Sequence, residues 1–131
     1  MFKENLNPID SAKPTGTYSH GKKIDLGNSY MIFVSGQIAQ DATGKLVCDD
    51  IEGQTEYVFK RVEEVLKVGG CGLEDVVKAQ IFLTDVNDFP KFSAIRNKYF
   101  SETLPASTLV GVNLVNEGCK LEMEVIAIKE K

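Results

Sequence analysis

The chain has 131 residues and a formal net charge of −4, with 43% hydrophobic and 26% charged residues. This length suits one domain with a real core, so we expect residues 1–131 to form a single domain. The acidic balance argues against nucleic-acid binding, and no apolar run approaches the ~20 residues that cross a bilayer. The polar N-terminus lacks the apolar centre of a signal peptide, which favours a cytoplasmic location.

The cysteines and the histidine restrict the possible chemistry. Cys48, Cys71 and Cys119 are scattered and form no CxxC pair, so neither a disulfide framework nor a zinc site is indicated. We expect them to pack as small apolar residues, although Cys119 beside a turn could react if it were exposed. His20 is the only histidine, which excludes a multi-histidine metal site within one chain. A lone histidine is more often a surface residue than a catalytic base, so we expect His20 to lie at the surface.

The N-terminal part predicts an arm followed by a hairpin. Residues 1–15 show no periodicity and indicate an extended arm, and the glycine-bounded segment 16–21 fits an edge strand or a loop. Residues 22–26 and 30–35 are strand-like, and Gly-Asn-Ser between them predicts a hairpin. Residues 31–34, Met-Ile-Phe-Val, are apolar at every position, which predicts a strand that is buried on both faces.

Two amphipathic helices are predicted further along. After a short strand-like piece at 46–48, residues 49–67 carry apolar residues near the helical period and acids in the first turns. Gly-Gly at 69–70 ends this helix. Residues 76–83 predict a strand, and a second helix starts at Asn87 or Asp88 and runs to Phe100, with a proline in its first turn.

Residues 104–128 predict two strands, 107–115 and 120–128, joined by an Asn-Glu-Gly hairpin turn. In the second strand, alternation places Leu121, Met123, Val125 and Ala127 on one face. The other face carries Glu122, Glu124, Ile126 and Ile128. Glutamates beside isoleucines would suit a subunit boundary or a cleft, but the pattern alone favours a solvated outer face with a partly covered end, because lone acids on strands are mostly solvated.

The order of these elements is strands, helix, strand, helix and two strands. It predicts an α+β domain with two helices on one face of a mixed sheet. The other face of that sheet is left open, so something outside these elements must cover it.

Several separated motifs resemble a known family. They are Ser35-Gly36-Gln37, the helix opening on Gln54, the passage 83–89 and the stretch from Pro105-Ala106 to 122–127. Their types and order are similar to those of the Rid family, also called YjgF or L-PSP, over nearly the whole chain. The resemblance implies a chorismate-mutase-like fold assembled as a homotrimer, with a ligand cleft at each of three subunit boundaries.

The resemblance also implies an activity, which is the hydrolysis of reactive enamines and imines to keto acids and ammonia, with no cofactor and no metal. By position, Glu122 matches a glutamate that positions or activates water, which is general acid–base work. Tyr18 matches a tyrosine that helps to seat the substrate, so Glu122 and Tyr18 are the catalytic candidates. Gly36 and the adjacent Ser35 match the backbone site for the substrate.

The sequence departs from the family pattern at three binding positions. Ser107 stands where the family has an arginine that holds the substrate carboxylate, Leu109 replaces a cysteine, and Ser93 replaces an asparagine. A serine brings no charge, and losing a bidentate pair costs about 2–5 kcal/mol. The chain has two arginines, Arg61 and Arg96, both on predicted helices.

Three functions remain open. The first is an imine or enamine deaminase with an altered substrate. The second is a trimer that binds a small metabolite or a protein partner without chemistry, which the missing arginine favours. The third and least favoured is an endoribonuclease or translation inhibitor, because RNA cleavage without a metal usually needs an acid–base pair together with cations for the phosphate.

Overall fold

The sheet determines where every functional side chain lies. The computed structural model describes residues 2–131 and contains one six-stranded sheet in the order β1-β2-β3-β6-β4-β5. Two helices pack on one face of this sheet, as expected from the order of the elements. The elements are β1 (Lys3–Leu6), β2 (Gly21–Asp25), β3 (Ser29–Gln37), α1 (Ile51–Val68), β4 (Val76–Leu83), α2 (Phe89–Phe100), β5 (Ala106–Gly111) and β6 (Leu121–Glu130).

The C-terminal hairpin prediction is wrong. β5 and β6 do not pair, because β4 lies between them and pairs with β5 in parallel and with β6 in antiparallel. β5 also ends at Gly111, so residues 112–120 form a connection that passes β4 before β6 begins. Alternation and a turn signal indicated two strands and a change of direction, but neither identifies the neighbour of a strand.

Both helix predictions are confirmed to within about two residues. Asp50 caps α1, since its carboxylate accepts a hydrogen bond from the Gly53 amide at 3.1 Å. The chain leaves α1 through Gly70, whose φ of 84° suits glycine. Pro90 lies in the first turn of α2, where its missing amide hydrogen removes no helical bond.

The face of the sheet that packs against the helices, the helix face, contains the core. The predicted apolar face of β6 is confirmed, because its alternate residues are at most 2% exposed: Leu121, Met123, Val125 and Ala127. The opposite face, the open face, carries the side chains of Phe33, Lys78, Gln80, Phe82, Glu122, Glu124 and Ile126. Phe33 is 39% exposed there, so the prediction that residues 31–34 are buried on both sides is wrong for a single chain.

The prediction that residues 1–15 form only an extended arm also needs correction, because part of this segment is a strand. Lys3–Leu6 is an edge strand paired with β2, and the Leu6 side chain is fully buried. Residues 7–20 then run without a helix or strand, so segment 16–21 is a loop that ends where β2 begins. Residues 46–48 contribute only an isolated bridge from Leu46 to Gln40. Within residues 2–131, the structure has no helix that is both long and apolar enough to cross a membrane.

Candidate functional site

A bulge in β3 builds one wall of the site. Val34 pairs with Val125 and Gln37 with Met123, so two residues, Ser35 and Gly36, oppose the single residue Glu124. Such a bulge turns side chains and backbone out of the regular ladder. Ser35 fixes the bulge to the preceding loop, because its amide donates to the His20 carbonyl at 2.8 Å and its hydroxyl to the Ser19 carbonyl at 2.7 Å.

The Glu122 side chain lies directly over Gly36. A Cβ atom on Gly36 would fall 2.7 Å from Cδ and 2.8 Å from Cγ of Glu122 and still closer to its carboxylate oxygen. Real Cβ atoms do not approach other atoms this closely. The glycine is therefore needed for the close approach of the two groups.

Glu122, Gly36 and Tyr18 meet at one cavity of about 130 Å³, the Glu122 pocket. Tyr18 is 53% exposed at its wall. The predicted catalytic pair therefore lines the same pocket within one chain. Ser35 lies beside it and lines a neighbouring cavity on the open face together with Glu124.

The environment of Glu122 makes its carboxylate more basic than usual. Burial raises the pKa of Glu122, and the negative charge of Glu124 raises that pKa further. Both effects disfavour the ionised form. A carboxylate with a raised pKa accepts a proton more readily, which suits a general base.

A buried polar network supports the pocket from the helix face. Arg61 of α1 is 5% exposed, and its Nη2 donates to the Gln37 Oε1 atom at 3.2 Å. This bond orients the Gln37 amide so that its nitrogen faces His20 Nδ1 at 3.3 Å. His20 Nε2 lies 2.6 Å from the Ala12 carbonyl. Because a carbonyl can only accept, this network assigns the neutral His20 tautomer with its proton on Nε2.

Arg61 and His20 were not predicted to occupy these places. His20 is 9% exposed, so the expected surface position is wrong. Arg61 lines the Glu122 pocket and also donates to the Ser11 hydroxyl, which ties the N-terminal segment to α1. The sequence contains one signal for the buried position of Arg61. This residue is three positions from Val58 and four from Val65, which places it on the buried stripe of the helix.

The remaining binding candidates lie elsewhere. Ser107 lines a second cavity of about 200 Å³ beside Arg96 and Leu104, which we call the Arg96 pocket. Ser93 accepts a hydrogen bond from Arg96 Nη2 at 2.8 Å and so belongs to the same group. Leu109 instead packs against the hydrophobic core.

The two groups of candidates do not meet within one chain. Ser107 pairs with Ala79, whose side chain is buried on the helix face, whereas Glu122 pairs with Phe82 on the open face. A small substrate cannot contact both faces of one sheet. In a single chain, therefore, the position that matches the carboxylate-binding residue is separated from the position that matches the glutamate.

The cysteines take no part in either pocket. Cys119 is 4% exposed and Cys71 is also buried. Burial raises the pKa of the Cys119 thiol, which keeps it in the unreactive protonated form. No cluster of three or more potential metal ligands occurs in the part of the chain that the structure describes.

Comparisons with known proteins agree with the geometry. The family model described as Endoribonuclease L-PSP matches residues 9–129. A RutC family protein of Pyrococcus abyssi is 40% identical over 131 residues, which cover 99% of this chain and all of that protein. The human 2-iminobutanoate/2-iminopropanoate deaminase is 33% identical over 92% of this chain and 88% of its own. The crystal structure of yeast YEO7 has a TM-score of 0.88 at 34% identity, with 98% and 99% coverage.

Proposed function

Because the chain belongs to the endoribonuclease L-PSP family, which includes the Rid and YjgF proteins, we propose that it hydrolyses reactive imines or enamines to keto acids and ammonia. The observation that carries this proposal is the convergence of Glu122, Gly36 and Tyr18 on one pocket. The human relative named as an imine deaminase supports the reaction class.

The chemistry assigned to Glu122 is general base catalysis. Its carboxylate takes a proton from water while the water oxygen attacks the imine carbon, and the C=N electron pair moves to nitrogen. The Glu122 carboxyl returns this proton to the nitrogen. The carboxylate then takes the hydroxyl proton of the adduct and passes it to the same nitrogen, so that the C–N bond breaks, ammonia leaves and the C=O bond forms. The raised pKa of Glu122 favours the first step, and Tyr18 and the Gly36 backbone hold the substrate against it.

We propose that the assembly is a homotrimer. Phe33 and Ile128, each 39% exposed, leave apolar surface on the strands β3 and β6. The separation of the Glu122 pocket from the Arg96 pocket gives a second reason, since a neighbouring copy could bring the two together. Sedimentation equilibrium that gives the mass of one chain would contradict the trimer.

A binding protein without chemistry is the second candidate. It is favoured by Ser107, which supplies no charge at the position of the family's arginine. RNA cleavage is disfavoured, because both ring nitrogens of His20 are already engaged by Gln37 and Ala12 and no second histidine exists.

The test measures keto acid and ammonia released from imines generated in place from acidic, neutral and bulky amino acids. We expect the wild type to exceed buffer, and Glu122→Gln to lose about 10²- to 10⁴-fold of that turnover because it removes the base. Glu130→Gln makes the same chemical change at an exposed position of the same strand and serves as the control.

The outcomes separate the two candidates. Wild-type turnover that Glu122→Gln leaves intact would contradict the assigned mechanism. An inactive wild type together with an active Ser107→Arg variant would favour the binding protein. If both are inactive on every imine, the deaminase proposal is wrong.

A further inference from the structure

The Arg96 pocket contains an arginine with unused binding capacity. Arg96 donates through Nη2 to Ser93 at 2.8 Å and makes only long contacts, at 3.4 Å, with Asn97. Within residues 2–131, Nη1 of Arg96 has no hydrogen-bond acceptor and no carboxylate lies within ion-pair distance of the guanidinium. The Arg96 guanidinium therefore has hydrogen-bond donors and a positive charge that are available to bind a ligand.

The guanidinium is held in place by aromatic side chains. Its Cζ atom lies 5.7 Å from the Phe89 ring centre and 5.8 Å from that of Phe92. Together with the hydrogen bond to Ser93, these contacts fix the orientation of the planar guanidinium group. A fixed fork loses less conformational entropy on binding and matches the two oxygens of a carboxylate.

The rim of the same cavity combines apolar surface with a strained backbone. Leu104 has a φ of 47°, which a branched residue rarely adopts, and its side chain is 77% exposed. Ser107 and Asn97 add polar groups to the wall. Such strain tends to occur at ligand sites, where the surrounding structure maintains it.

We propose that Arg96 of α2 binds the substrate carboxylate, in place of the arginine that is absent at Ser107. Both residues line one cavity, so a guanidinium that comes from the helix reaches the place that the strand residue would have served. This assignment rests on the proposed function. It commits the substrate class to imines that keep a carboxylate next to the reacting carbon.

The assignment also implies that each site is formed by two neighbouring copies of the chain. Because Arg96 and Glu122 lie at separate pockets of one chain, the two act on one substrate only when they come from neighbouring copies. In a ring of copies with one repeated type of interface, every boundary then has one glutamate and one arginine.

The first test is binding of 2-oxobutanoate, the keto acid that hydrolysis of 2-iminobutanoate produces, measured by calorimetry on the full chain. We expect Arg96→Gln to weaken binding about ten- to a hundredfold and Arg96→Lys to weaken it less, since lysine keeps the charge without the fork. The uncharged amide of the same acid should bind the wild type and Arg96→Gln equally.

Two further variants provide controls. Lys91→Gln removes one positive charge from the same helix at an exposed site near Glu52, and it should leave binding unchanged. Arg96→Gln combined with Ser107→Arg should recover binding, because the guanidinium returns to the same cavity. Unchanged binding in Arg96→Gln would overturn the proposal, as would failure of the combined variant to recover while it remains folded.

The second test mixes copies of two variants, each of which lacks one of the two groups, and measures turnover at a substrate concentration too low to saturate Arg96→Gln. If each site takes Glu122 from one copy and Arg96 from the next, equal mixing of Glu122→Ala and Arg96→Gln should restore about a quarter of wild-type turnover. No recovery from a mixed trimer would overturn the shared site.

The outcomes distinguish this inference from the proposed function. If the wild type hydrolyses imines and Arg96→Gln has the same turnover, the carboxylate site at Arg96 is contradicted. The deaminase proposal is not affected by that result. Binding of 2-oxobutanoate that depends on Arg96, in a wild type that hydrolyses no imine, contradicts the deaminase and leaves the carboxylate site standing.

Discussion

The two faces of β6 differ although they alternate along the same ten residues. On the helix face, Leu121 and Met123 are fully buried against other apolar side chains. On the open face, Glu122 and Glu124 lie one residue away and remain partly accessible. One strand therefore contributes one set of residues to the core and, in the proposed function, the other set to ligand chemistry, so each set can be altered separately.

The difference between the faces follows from what covers them. The helix face is covered by α1 and α2 of the same chain, so its residues form a continuous apolar core. The open face carries acids and exposed apolar groups, which is a costly combination unless a ligand or another copy contacts them. We therefore expect substitutions on the helix face of β6 to change folding and those on its open face to change function.

The largest effect on stability is expected from Met123→Ala. Removing a fully buried side chain from the core should lower the free energy of unfolding by about 2–5 kcal/mol, since the lost contacts leave a cavity. Denaturant titration measures this effect. Lys129→Ala, at an exposed position of the same strand, is the control and should change stability by about 0.5 kcal/mol or less. A loss below about 1 kcal/mol for Met123→Ala would contradict the assigned core.

The next largest effect is expected from Gly36→Ala, and it should appear in activity. The added methyl group displaces the Glu122 carboxylate, and misplacing a catalytic group by about 1 Å can cost about a hundredfold in rate. Stability should change little, because the methyl group meets only the end of a flexible side chain. Full activity in a folded Gly36→Ala variant would show that the contact with Glu122 is dispensable.

Much of this arrangement could be predicted from the sequence, because it depends on local periodicity. The helices around Val58 and Phe92 and the alternation of β6 follow from patterns within a few residues. The position of β4 between β5 and β6 could not be predicted in this way. It depends on which strands pair at long range, and neither alternation nor a turn signal carries that information.

The site was predictable only in part, and on different grounds. Glu122, Gly36 and Tyr18 follow from the resemblance to a family, and the structure places them around one pocket. The approach of Arg96 to Ser107 depends on how α2 packs beside β5, which no spacing within either element specifies. The bonds of Arg61 to Gln37 and Ser11 likewise join segments that are far apart in the sequence.

The smallest effect concerns the two glutamates of the open face. The charge of Glu124 helps to raise the pKa of Glu122, so Glu124→Gln should lower that pKa. If Glu122 acts as a base, activity is present above its pKa and is lost as the pH falls through it. The acidic limb of the kcat/KM profile should therefore move to lower pH in Glu124→Gln. An unmoved limb would show that Glu122 is not the group that titrates.

The same pKa predicts the opposite trend for folding stability. A glutamate whose pKa is raised in the folded state contributes stability below its ordinary range and loses that contribution as the pH rises through the raised value. Glu122→Gln removes the ionisable group, so at neutral pH this variant should be more stable than the wild type, and in acid the two should converge. Denaturant titration of both proteins at neutral and at acidic pH measures this difference, and equal stabilities at neutral pH would contradict the raised pKa of Glu122. Its neighbour Met123, on the other face, stabilises the fold through burial in the core.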